Sequence, residues 1–141
     1  MFKKLKQRLQ NQKGLTLVEL LAVIVILGII AAIAVPSIGN IIEKSRADAI
    51  KAEAVQTINA AKLYVAAKGV PTDNNMDSTD LADYLDTNSN TLTNVVVTST
   101  NNDLTISATG SKGNVSITFT NASIQQINNA ESKSGITIGT E

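Results

Sequence analysis

Reactive side chains are scarce in this 141-residue chain, which has neither histidine nor cysteine. That removes imidazole acid–base chemistry, thiol nucleophiles, thiolate metal sites and disulfides together. There is also no G-x-S-x-G elbow and no glycine-rich phosphate loop, so no catalytic residue, cofactor or enzyme activity is assigned. One stretch gathers titratable groups: Asp73, Asp77, Asp80, Asp83 and Asp86. It lacks the D-x-D-x-D-G spacing of a calcium loop, so no metal is assigned either. A solvated face on a short helix near 78–86, capped by Asp77 or Ser78 and burying Leu81, Tyr84 and Leu85, accounts for it more economically. The remaining candidate is Glu19, the only charge in the run LTLVELLAVIVILGIIAAIAV from Leu15 to Val35. A carboxylate held in such a run costs roughly 2.5–3.5 kcal/mol at a bilayer centre and less near its edge. Such a group should face a partner.

The elements around Glu19 follow from hydropathy and charge. Residues 1–14 carry Lys3, Lys4, Lys6, Arg8 and Lys13 and no acid, whereas everything after Gly14 holds seven basic and twelve acidic residues. The apolar run spans about 31 Å as a helix at 1.5 Å per residue, close to the thickness of bilayer hydrocarbon. Its basic flank predicts a cytoplasmic leader with the C-terminal bulk outside. A helix buried in a soluble core is the competing reading, but the remaining chain is too small to wrap all its sides. After Pro36, the residues Ala47, Ile50, Ala54, Ile58, Ala61 and Val65 recur at spacings of three and four, the stripe of an amphipathic helix. Lys44 and Asp48 have i,i+4 spacing on another face. Gly69 and Pro71 supply a stop. The pattern predicts one helix of roughly 50 residues, kinked near Pro36.

Beyond residue 91 the chain is rich in Thr, Asn and Ser with alternating apolar positions. Thr93–Thr98, Leu104–Ala108 and Asn114–Thr120 read as strands, with turns at Asn101–Asp103 and Gly110–Gly113. Ile124 and Ile127 suit a turn of helix, and Ile136–Ile138 an edge strand. The expected fold is α+β: a long N-terminal helix packed on a small antiparallel sheet. Its segments are a leader (1–14), a hydrophobic helix (15–35), an amphipathic continuation (36–69) and a head (70–141) whose antiparallel meander covers 92–141.

The sequence Lys13–Gly14–Leu15–Thr16–Leu17–Val18–Glu19, heading that apolar run with Pro36 beyond it, closely resembles the type IV pilin signature. The resemblance covers residues 1 to about 60. It implies a prepilin cut between Gly14 and Leu15 by a membrane prepilin peptidase, which also N-methylates the new amine of Leu15. Thr16 and Glu19 then take the second and fifth mature positions, and Pro36 the twenty-second. Glu19 would pair with the Leu15 ammonium of its own or a neighbouring subunit and set subunit register. Family filaments commonly lose helix between positions such as Gly28 and Pro36. Gly28 weakens a helix by about 1 kcal/mol relative to alanine, though it also permits close helix packing. Two features depart from the pattern. Leu15 stands where phenylalanine is usual, and the family's frequent C-terminal disulfide is impossible without cysteine. The second departure leans toward the Gram-positive type.

The implied function is a structural filament subunit that is a single-pass membrane protein before assembly and lies outside the cell after it. Its partners would be further copies of itself, the peptidase, an assembly platform protein and an ATPase. A pseudopilin of type II secretion or of a competence system shares the same N-terminus. An ordinary secreted or signal-anchored protein is a third reading, since Ala32–Ile33–Ala34 presents an A-x-A pattern. However, the apolar run is longer than the usual 7–15-residue signal core, and Glu19 is foreign to one. After Gly69 only Lys112 and Lys133 oppose eight acidic residues, so the head is not expected to bind nucleic acid.

Overall fold

A computed structural model describes the backbone of residues 2–85 and 91–140, and the side chains of those residues except 2 and 5–15. Helix α1 runs Phe2–Lys68. It is followed by β1 (Asn75–Asp77), β2 (Leu92–Thr100), β3 (Asp103–Lys112), β4 (Val115–Ala122), helix α2 (Ile124–Asn129) and β5 (Ile136–Gly139). The chain divides into two compact units, residues 1–40 and 41–141. The first is helix throughout its described residues. Helix is assigned on both sides of Pro36 and through it, so the proline does not end α1, and the helix also reaches back into the basic leader. The expected length of about 50 residues was therefore too short.

The second unit is built on the predicted stripe. Ala47, Ile50, Ala54, Ile58 and Ala61 are completely buried, and Val65 packs at the edge of the same cluster. Opposite them lie Val97 of β2, Ile106 and Ala108 of β3, Val115, Ile117 and Phe119 of β4, and Ile138 of β5. The strands form one sheet in the order β1-β2-β3-β4-β5. The first three pairings are antiparallel, but β4 and β5 run parallel, which corrects the wholly antiparallel meander. A parallel return needs a crossover, and α2 supplies it. That helix starts with a capping box: the Ser123 hydroxyl accepts from Gln126 N–H, and the Gln126 side chain accepts from Ser123 N–H.

Asparagine makes the bends in this sheet. Asn101 and Asn102 have φ of 51° and 70° and form the two-residue turn between Thr100 and Asp103, the left-handed pair that suits sheet twist. Asn94 and Asn121, also at positive φ, lie where the β2–β3 and β3–β4 registers shift by one residue. Each bulge reverses which face the following residues occupy, so Phe119 and Ala122 are both buried although three residues apart. The second expected turn was misplaced. Gly110 to Lys112 belong to β3, and the turn is Gly113–Asn114.

Two further corrections concern residues 72–85. Strand β1 carries no alternation long enough to predict; its buried Met76 pairs with Val97 of β2. The expected helix near 78–86 is a series of turns over 78–84, and Asp86 lies outside the described residues. Asp77 does cap the segment, accepting from Thr79 N–H at 2.7 Å and Asp80 N–H at 3.1 Å. Leu81 is buried as expected, while Tyr84 and Leu85 are half-buried. Tyr84 meets Tyr64 of α1 edge-on at 6.0 Å, with the Lys68 ammonium 5.1 Å from the Tyr64 ring centre.

Two predictions follow from this packing. A β-carbon on Gly110 would collide with the Ile50 side chain. Gly110→Ala should therefore destabilise the head by about 1–3 kcal/mol in thermal or denaturant unfolding. The Asp77 carboxyl is held below the usual carboxylate range, first by the Asp80 N–H and then by that of Thr79. A depressed folded pKa contributes stability that is present above the unfolded value, about 3.9, and lost as pH falls through the folded one. The protection of the amides of residues 79–81, taken relative to their intrinsic exchange rate, should fall on acidification below pH ~4, and Asp77→Asn should remove that acid step.

Candidate processing and assembly site

The residues singled out by the sequence lie on α1. Gly14 and Leu15 fall within the helix. Thr16, Glu19, Gly28 and Pro36 are all exposed. In α-helical geometry the neighbours of Glu19 one turn away are Leu15 and Thr16 on one side and Ala22 and Val23 on the other. Among the described residues no ion pair involves Glu19. The residues one turn away on either side of Glu19 carry no charged side chain. Gly28 has open space around the position of a β-carbon, and no neighbouring side chain comes within 4 Å of it.

The surface around Glu19 is the dominant feature. Every Leu, Val and Ile from Leu17 to Ile42 is exposed, from Leu17 at 67 % to Ile33 at 72 % and Ile42 at 44 %. Soluble monomers rarely expose contiguous apolar patches beyond a few hundred Å². Each such side chain is worth roughly 1.5–3 kcal/mol when removed from water. Helix α1 is long and apolar enough to cross a membrane, and the apolar window has no part buried. The arrangement requires lipid or other apolar surface around the helix. It offers no catalytic constellation, and no group of three or more metal-ligating side chains occurs among the described residues.

Residues 9–35 match the family model of the prokaryotic N-terminal methylation motif. A curated relative, the fimbrial protein EcpB of Eikenella corrodens, is 33 % identical over 93 residues, covering 62 % of this chain. The N-terminal segment of the chain is therefore similar to that methylation motif, and the longer match is to a fimbrial protein. The match spans 58 % of that fimbrial protein's length. No solved structure matches the chain. The long helix packed on a mostly antiparallel sheet is consistent with the pilin fold.

The head is joined to its helix by polar contacts that the sequence did not signal. The Lys51 ammonium donates to the Ala130 carbonyl at 2.7 Å, at the C-terminal end of α2. Its favourable position there follows from the partial negative charge of exposed helix carbonyls. The Ser132 hydroxyl donates to Asp48, which is therefore engaged across 84 residues rather than with Lys44. Asn114 bridges two residues of α1, accepting from Arg46 at 2.6 Å and donating to Glu43 at 2.8 Å. No local spacing rule links residues so far apart in sequence.

The contrast between the two units is testable. Residues 41–141 expressed alone should stay in the aqueous phase of a detergent partition. The full chain should enter the detergent phase.

Proposed function

We propose that this chain is the structural subunit of a type IV pilus-like filament. The observation that carries the reading is a methylation motif heading a fully exposed apolar helix in which Glu19 is the sole charge. It is made as a prepilin anchored by residues 15–35, with its basic leader in the cytoplasm. The prepilin peptidase cuts after Gly14 and methylates the Leu15 amine. Gly14 leaves no side chain beside the scissile bond and weakens the surrounding helix.

Cleavage offers Glu19 a charge partner. The new ammonium at Leu15 is one turn away along the same helix, or is presented by a neighbouring subunit. In an apolar surrounding this charge pair is worth far more than at a wet surface, and leaving either member unpaired is costly. That asymmetry sets subunit register, with Thr16 beside the pair. Gly28 and Pro36 are the points where α1 yields or packs closely as subunits enter the filament. A platform protein and an ATPase drive the transfer from bilayer to polymer. The curated relative is a fimbrial protein, which favours a pilus over a secretion or competence pseudopilus. The head surface, poor in Lys and Arg beyond Gly69, does not receive nucleic acid.

Glu19→Ala should leave membrane insertion and leader removal intact and reduce sheared filaments by at least an order of magnitude, as measured by immunoblot of cell and filament fractions. Wild-type filament levels from this variant would contradict the role of Glu19.

A further inference from the structure

Strand β5 ends the sheet on one side, pairing with β4 and with no other strand. Two hydrogen bonds fix the direction of its backbone groups. Gly135 N–H donates to the Ser116 carbonyl at 2.7 Å, and Thr140 N–H to the Thr120 carbonyl at 3.1 Å, both on β4. A trans peptide points its N–H and C=O opposite ways, so the Gly139 carbonyl turns away from β4. Alternation along the strand turns the Gly139 N–H and both backbone groups of Thr137 the same way. Among the described residues no other element bonds to β5. An edge of this kind is a template for one more strand.

The edge opens on a groove of about 870 Å³ between α2 and β5, lined by every residue of β5 and by Thr140. Gln125 and Asn129 of α2 line it too, and their i,i+4 spacing puts them on one helix face. Both are exposed, and neither side chain has a hydrogen-bond partner among the described residues. Gln126, by contrast, is taken up in the capping box. Past the end of β5 the lining continues to Asp103, Thr105 and Asn121.

The lining selects among ligands. Its charges nearly balance: Glu131 is paired with Lys133 at 2.8 Å, and Asp103 also borders the adjoining hollow that Lys62 lines. A strongly charged ligand therefore gains no complementary field. No aromatic side chain lines the groove, so there is no face on which a ring could stack. What remains is an unpaired strand edge flanked by amide and hydroxyl groups.

We infer that the free edge of β5, with Gln125 and Asn129, is a docking site for an extended, uncharged polar segment of another protein, which joins the sheet as a sixth strand. Main-chain bonds to Thr137 and Gly139 hold the segment, and the two amides meet its alternate side chains. Residues 136–140 span about 16 Å, room for a strand of about five residues. The site lies wholly within the head and does not rest on the filament reading.

The probe is a display library of random octapeptides, panned on the full-length chain in detergent micelles with empty micelles as control. Selected peptides should be rich in Ser, Thr, Asn and Gln and poor in charged residues. A synthetic copy of one should slow amide exchange at Thr137 and Gly139 and leave Ile138, whose N–H faces β4, unchanged. N-methylation of that peptide should weaken binding at least tenfold at alternate positions only. Thr137→Pro removes an outward N–H, which edge strands permit, and should weaken binding at least tenfold with Ile138 still protected. Gln125→Ala with Asn129→Ala, at exposed positions, should weaken it several-fold. Failure to enrich peptides over empty micelles, or equal weakening at every methylated position, would overturn the site. So would a neutral glycan bound in the groove in place of peptide, or a second copy of the chain as sole occupant, read as self-association lost in Thr137→Pro.

Discussion

The constraint on which the rest depends is apolar surface with nothing in the folded subunit to cover it. The helix from Leu17 to Ile42 shows all its large aliphatic side chains to the surroundings, while the same helix from Ala47 onward buries one stripe completely. Water tolerates the second arrangement and not the first. The chain therefore needs an apolar environment for one end of α1 from the moment it is made. On the proposed function a bilayer supplies it first and identical helices later, so that transfer between them is an exchange of apolar contacts and exposure to water is never required.

In that setting a single charge has unusual leverage. Glu19 would weaken a membrane helix if it were only a carboxylate among leucines, and no ion pair among the described residues compensates it. On the proposed processing, leader removal would turn this cost into a specification, since a new amine would appear one turn away. The basic leader would then orient the precursor, and Glu19 would have its use once the leader is gone.

The head solves a separate problem without covalent help. A small domain lacking disulfides must hold its C-terminal segment by other means. Here α2 buries Ile127, β5 pairs in parallel with β4, and Lys51 and Asp48 reach from α1 to Ala130 and Ser132. These contacts make α1 both the core of the head and its anchor for the C-terminal residues.

How much of this was legible follows from which forces leave local traces. The apolar run, the buried stripe and the strands β2 to β4 repeat at helical or strand spacing, so each could be read from composition alone. Strand β1 could not, because three residues carry no period, and the parallel return of β5 depends on a crossover rather than on its own side chains. The turns at 78–84 show the limit of capping logic: Asp77 supplies the cap, but Leu81 is drawn into the core and the following residues do not continue as helix. The bulges at Asn94 and Asn121 were equally hidden, since a left-handed asparagine looks in sequence like any polar residue.

The most direct test of the central claim is the mass and N-terminal sequence of the subunit recovered from sheared filaments. The account predicts a chain beginning at N-methylated Leu15 with the entire apolar helix retained. A chain beginning at Val35, with that helix discarded, would contradict it.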